Sequence, residues 1–235
     1  MKKITRYLII LIAVIVLWNT IIIKPLKIFT VFLHELGHSL MAVIFGNGIQ
    51  AFKVNLDESG YAIVQSKGWF SSFMIANGGY LGSLLFALLI LVLGRTAFKK
   101  YLLGTLGLIF LGVTAKFSGV LSFAFLYAVI FTAIVLVIYM IQNEKLNDWA
   151  IDVLGISSVA YAIYDTFVDT ILLQINLYFH VLKGWHGSRP VTDAMQLAQL
   201  TKIPAIVWGV IWLVISILAV KAVLLKSPKG ANSRK

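Results

Sequence analysis

The sequence predicts an all-α integral membrane protein: a polytopic helix bundle of about seven spans with one small β-hairpin. Three observations predict it. Hydrophobic residues make up 60% of the 235 residues and charged residues only 12%, with a mean hydropathy of +0.94, values of the integral membrane class. Apolar runs long enough to cross a bilayer, about 20 residues each, recur along the chain between short charged punctuations. One interior stretch, residues 49–67, breaks this pattern with polar alternation and a turn sequence.

In chain order, Leu8 to Ile23 is the first span. It follows Lys2, Lys3 and Arg6 and shows no small-x-small cleavage site, so it reads as retained. Pro25 suits the first turn of a second helix, which Gly46-Asn47-Gly48 ends. In residues 49–67, Phe52, Val54 and Leu56 alternate with polar residues before the turn Asp57-Glu58-Ser59-Gly60, and Tyr61-Ala62-Ile63-Val64 follows as the return strand. Ser71 to Gly94 is the third span, with Asn77-Gly78-Gly79 and Gly82 allowing close helix contact. Tyr101 to Ile141 exceeds one span and divides at Lys116 into a fourth and a fifth. Trp149 to Leu182 is the sixth, apolar except for Asp152, Asp165, Asp169 and His180. A polar loop, Lys183 to Val191, leads to a short helix capped by Thr192 or Asp193, and Ile203 to Val220 is the seventh span. Residues 1–226 then form a single membrane domain, and 227–235 a basic disordered tail. Alternating seven spans places 9 Lys and Arg on one side and 11 on the other, so charge does not set the orientation. The net charge of +11 fits anionic lipid headgroups rather than nucleic acid.

The stretch with most chemical content is His34-Glu35-Leu36-Gly37-His38, inside the almost uncharged segment Ile28 to Phe45. Residues four apart share a helix face, so both imidazoles can reach one metal ion. Glu35 lies one step round, close enough to act on a water held there. Four His and three Glu scattered through the chain would give this pattern by chance in roughly one such sequence in a thousand. Ionisable groups inside a span cost several kcal/mol unless paired or bound, and three sit here within five residues. With no cysteine, a zinc site must draw on His, Asp or Glu.

A catalytic zinc needs a third protein ligand. Asp165 and Asp169 lie four apart on one face of an otherwise apolar helix and are the leading candidates, as ligand or as support for one. His180, His186 and Asp193 are the alternatives.

Phe32-Leu-His-Glu-Leu-Gly-His-Ser-Leu-Met-Ala42, Ala76-Asn-Gly-Gly-Tyr-Leu-Gly-Ser83, Tyr161-Ala-Ile-Tyr-Asp-Thr-Phe-Val-Asp169 and Thr192-Asp-Ala194 together resemble the site-2-type intramembrane metalloproteases, in particular their compact bacterial M50B-like branch. The larger family's Asn-Pro-x-x-Asp-Gly motif is absent from the chain. The resemblance implies a zinc-dependent endopeptidase of a bacterial cell membrane, cutting membrane-spanning protein substrates within the lipid bilayer. It implies His34 and His38 as metal ligands, Asp165 as the third with Asp169 as its alternative, and Glu35 as the catalytic base. Asn77 and the hairpin residues Phe52, Val54 and Leu56 are the candidate substrate contacts. Two rival functions are a non-catalytic metal-binding scaffold, in which Glu35 would have no task, and a transporter, for which no inverted repeat is visible.

Overall fold

Pro25 opens the central helix as its position demands. Helix α2 (Lys24–Phe45) takes that proline in its first turn, where the missing N–H is not needed, and ends at Gly46, whose N–H returns to the Ala42 carbonyl. The computed structural model describes residues 3–179 and 191–225, so His180, His186 and the tail from 227 lie outside the described residues. Helix α1 (Lys3–Val16) precedes α2 and is shorter than the predicted first span. The apolar run continues to Ile23, but the helix stops before Trp18-Asn19-Thr20, where the Thr20 side chain bonds back to the Leu17 carbonyl. At 14 residues, α1 is about 21 Å long, too short to cross a bilayer alone.

Among the described residues, six other helices are long and apolar enough to cross a membrane. They are α2, α3 (Trp69–Leu93), α4 (Lys99–Phe117), α5 (Phe123–Met140), the stretch Glu144–Phe179, and α9 (Ala205–Leu225) over its first 20 residues. The chain is thus a multi-pass membrane protein. The division between α4 and α5 falls beside Lys116, as the charge suggests: Gly119 takes φ +83 and Ser122 caps α5 by accepting from the Phe125 N–H. The stretch Glu144–Phe179 is α6 (Glu144–Thr166), a π-helical segment (Phe167–Leu172) and α7 (Leu173–Phe179) in succession. Asn143 caps its start. Helix α8 (Asp193–Thr201) is short, capped by Thr192.

The hairpin is β1 (Ile49–Val54) and β2 (Gly60–Val64), antiparallel, with Phe52 opposite Ala62 and Val54 opposite Gly60. At its turn the Ser59 N–H and hydroxyl both donate to Asp57 Oδ1, and these bonds hold the Asp57 carboxyl below its ordinary pKa. The hairpin folds back along α2: Glu58 pairs with Lys27 at 3.3 Å, and Lys27 lies over the Trp18 ring. Phe52 and Val54 are each 1% exposed and pack into an aromatic cluster with Phe29, Phe32, Phe110 and Phe131.

Helices α2 and α3 meet at glycines. A methyl on Gly37 would run into the Gly78 carbonyl and come within 3.2 Å of the Gly82 Cα, while one on Gly82 would be 2.8 Å from the Gly37 Cα. Such backbone contact is how membrane helices gain packing energy when lipid is as apolar as their side chains.

One end of the bundle gathers the start of α1, the end of α3, the starts of α4 and α6 and the end of α9. Arg6 pairs with Asp152, Arg95 donates to the Val223 carbonyl at 2.9 Å, and Lys99 pairs with Glu144 at 3.3 Å and Asp148 at 3.1 Å. Of the thirteen described Lys and Arg, seven lie at this end (3, 6, 95, 99, 100, 145, 221), Lys67, Lys116 and Lys202 lie at the other, and Lys24, Lys27 and Lys53 belong to α2 and the hairpin.

Candidate metal centre

His34 and His38 lie four apart on α2, so successive turns place both rings on the side facing α3. Their Nε2 atoms stand 3.1 Å apart. The His38 Nδ1 N–H donates to the Ile75 carbonyl at 2.8 Å. A carbonyl can only accept, so this bond fixes the tautomer and leaves Nε2 with a free lone pair. His34 Nδ1 is buried and makes no hydrogen bond among the described residues.

The third member is Asp193, the first residue of α8. Its Oδ2 lies 3.2 Å from His34 Nε2 and 3.1 Å from His38 Nε2. Asp193, Ala194 and Leu197 are all buried, so this short helix inserts one face into the bundle and carries its acid with it. Burial opposes ionisation of Asp193, but the two imidazoles outweigh it and hold the carboxyl well below the usual carboxylate range.

The three atoms form a nearly equilateral triangle. A tetrahedral ion with bonds of about 2.0–2.1 Å would set its ligand atoms about 3.3–3.4 Å apart. The observed separations, 3.1 to 3.2 Å, are close to one face of that tetrahedron. Among the described residues, these three are the group able to hold a metal ion. A donor set of two imidazoles and a carboxylate suits zinc and leaves a fourth position for a reactant. Gly79 makes room for it. A Cβ there would strike His34 Nε2 and lie 2.5 Å from both His38 Nε2 and Asp193 Oδ2.

Glu35 is 6% exposed and points into the same cavity, of about 390 Å³. A methyl on Gly60 of β2 would come within 3.1 Å of Glu35 Oε1, so the return strand lies directly on this carboxylate. Gly60, Ala62 and Val64 line the cavity, and Asp165, Asp169 and Tyr80 close its far side. Tyr80 sets its ring edge-on to His34 at 4.7 Å and donates its hydroxyl to Asp169 Oδ2 at 3.4 Å.

The structure therefore brings together His34, Glu35 and His38 as expected and places Asp165 and Asp169 on the same cavity. It puts Asp193, rather than Asp165, in the convergent group. Asp165 had seemed the stronger choice because it lies deep in an apolar helix. Asp193 follows a polar loop, and only the insertion of α8 buries it. The expected substrate contacts are arranged differently. Phe52 and Val54 face the core, Leu56 is exposed near the hairpin turn, and β2 rather than β1 lines the cavity. Asn77 accepts from the Trp212 indole N–H at 2.9 Å and donates to the Phe73 carbonyl, so it ties α9 to α3.

No curated protein and no solved structure shows significant similarity to the chain. A family model does: that of the Peptidase M50B-like proteins, over residues 7–223. That match covers most of the sequence and contains every residue of the metal centre, and the chain belongs to the Peptidase M50B-like family.

Proposed function

We propose that the protein is a zinc-dependent endopeptidase that hydrolyses peptide bonds of membrane-spanning substrates inside the bilayer. The convergence of His34, His38 and Asp193 beside the buried Glu35 is the observation that carries this reading. A zinc ion held by these three would polarise the scissile carbonyl and make water more acidic.

The chain's own groups do the rest. The Ile75 carbonyl keeps His38 in the ligating tautomer. Glu35 takes a proton from the attacking water and passes it to the leaving amide nitrogen. Its burial keeps bulk water from competing for that proton. Strand β2 pairs with β1 on one edge, and its residues line the cavity. Its other edge offers main-chain groups to an extended peptide without demanding a side-chain sequence, which suits a substrate helix that has unwound locally.

Glu35→Gln is the test. Cleavage of a membrane substrate should fall roughly 100- to 10,000-fold, since an amide cannot accept the proton, while zinc content measured by elemental analysis stays near one per chain. Near-normal turnover would remove Glu35 from the mechanism.

A further inference from the structure

Helix α8 is nine residues long, yet its first residue, Asp193, supplies the carboxylate of the metal centre. We propose that the indole N–H groups of Trp69 and Trp208 position that ligand: they grip the far end of α8 and so hold Asp193 against His34 and His38. This role presupposes the metal centre and adds what keeps it assembled.

A helix this short is marginal by itself, since isolated helices need about 12–15 residues. Its place is set by what touches it. At its start the directional hold is slight. The Thr192 side chain accepts from the Met195 N–H at 3.4 Å, a long bond within the helix's own cap. Ala194 and Leu197 are buried in a cluster with Tyr80 and Trp212, but apolar contact is non-directional. It resists lifting of the helix better than sliding along its axis.

The other end is tied from two helices. The Trp69 indole N–H donates to the Leu200 carbonyl at 2.9 Å. The Trp208 indole N–H donates to the Thr201 hydroxyl at 3.3 Å, and that hydroxyl donates in turn to the Leu197 carbonyl at 2.7 Å. Lys202, left-handed at φ +64, returns its N–H to the Ala198 carbonyl. Groups that a helix end leaves open are thus taken up by tryptophans of α3 and α9. Phe73 joins the two: Trp69 stacks on it at 5.5 Å, and it meets Trp208 edge-on at 5.6 Å.

Trp69 matters for a second reason. It is the first residue of α3, and the Ile75 carbonyl of the same helix fixes His38. One helix therefore sets both an imidazole and the carboxylate of the centre. Leu200 lies roughly 10 Å along α8 from Asp193, at 1.5 Å per residue. Groups of such a site must be held within about 0.5 Å, and bonds at the far end of a short rod restrict its sliding and rotation. Tryptophans that only anchor a protein at the membrane surface turn their polar tips to the headgroup region. Both of these N–H groups are spent on α8.

The test is the zinc affinity of the full-length protein in mild detergent, measured by competition with a chelating dye. Phenylalanine keeps an aromatic ring and removes the N–H. Trp69→Phe and Trp208→Phe should each weaken zinc binding about tenfold, the low end of what is lost with groups that orient metal ligands. The double variant should lose more than either. Trp149→Phe, whose ring faces Arg6 at the other end of the bundle, should bind zinc as wild type does. Cobalt(II) in place of zinc reports on the ligands themselves: its visible bands should weaken in the double variant as Asp193 withdraws and water takes its place. Wild-type zinc affinity in the double variant would overturn the proposal. So would a loss of affinity with unchanged cobalt bands, or an equal loss in Trp149→Phe, since either would mean general loosening of the bundle. Wild type that holds no zinc would overturn the metal centre, and the proposal with it.

Discussion

The three inner helices and the three outer ones are built on opposite rules. More than half of the spanning stretch is buried in α2, α3 and the α6–α7 helix, but less than a third in α4, α5 and α9. The most apolar helices, α5 and α9, are the least buried. This reverses the rule for soluble proteins and is what a lipid solvent requires: apolar side chains face outward, while backbone contact and polar groups are kept within. The inner helices carry His34, Glu35, His38, Gly79 and Asp165 and are packed glycine to backbone. Chemistry and close packing therefore occupy the same layer.

A single methyl should show the contrast most strongly at Gly79. There a Cβ would run into three ligand atoms at once, His34 Nε2, His38 Nε2 and Asp193 Oδ2, none of which can move without leaving the convergent group. Gly79→Ala should reduce zinc occupancy more than tenfold, measured by elemental analysis, and abolish cleavage. Full occupancy in folded Gly79→Ala protein would mean the three ligands do not converge as described.

The next effect separates the two acid-bearing segments. Asp193→Ala should lose zinc, because it removes one of three donors at 3.1 to 3.2 Å from its neighbours. Asp165→Ala and Asp169→Ala should keep it, since both line the cavity outside the convergent group. Zinc loss in Asp165→Ala with retention in Asp193→Ala would restore the assignment suggested by the sequence.

That difference shows what the sequence could and could not reveal. The His34–Glu35–His38 geometry was legible because it is local: five residues of helix determine it. The glycines of α3 were legible as contacts for the same reason. Asp193 was not, because its position depends on how α8 inserts into the bundle, which no local spacing records. The hairpin was legible as an element, but not which face it buries. Alternation marks Phe52 and Val54 as one side, yet in a membrane bundle an apolar side can face core, lipid or substrate. The aromatic partners Phe32 and Phe110 decide for the core. Likewise, the apolar run to Ile23 exceeds its helix, because hydropathy does not register the turn at Trp18-Asn19-Thr20.

A moderate effect should come from the strand that bridges the layers. Proline placed singly at Tyr61, Ala62 and Ile63 removes one β2 N–H at a time. Where that N–H faces β1, the hairpin should weaken and the melting temperature fall. Where it faces away, cleavage should drop severalfold while melting temperature and zinc content hold, with Ala62 set apart because its backbone N–H bonds Glu35. Loss of cleavage only in variants that also melt early would show that β2 braces the site and does not pair with substrate.

The smallest effect is expected in the outer layer, and it completes the comparison with Gly79. Gly104 and Gly112 lie inside α4, and a Cβ at either meets nothing within 4 Å. Glycine in a helix interior carries an entropic cost of roughly 0.5–1 kcal/mol relative to alanine. With no clash to offset that gain, Gly104→Ala and Gly112→Ala should be neutral or stabilising by up to about 1 kcal/mol. Gly107, on the same helix, is the internal control. Its Cβ would lie 3.0 Å from Val135 Cγ2, and its carbonyl accepts the Thr132 hydroxyl at 3.0 Å. Gly107→Ala should therefore destabilise the α4–α5 contact while the other two do not. All three should keep wild-type zinc content, because α4 supplies no ligand. Equal melting losses for Gly107 and Gly112 would mean that α4 packs on both faces, against another chain on its open side, and the outer layer would then not be a lipid surface at all.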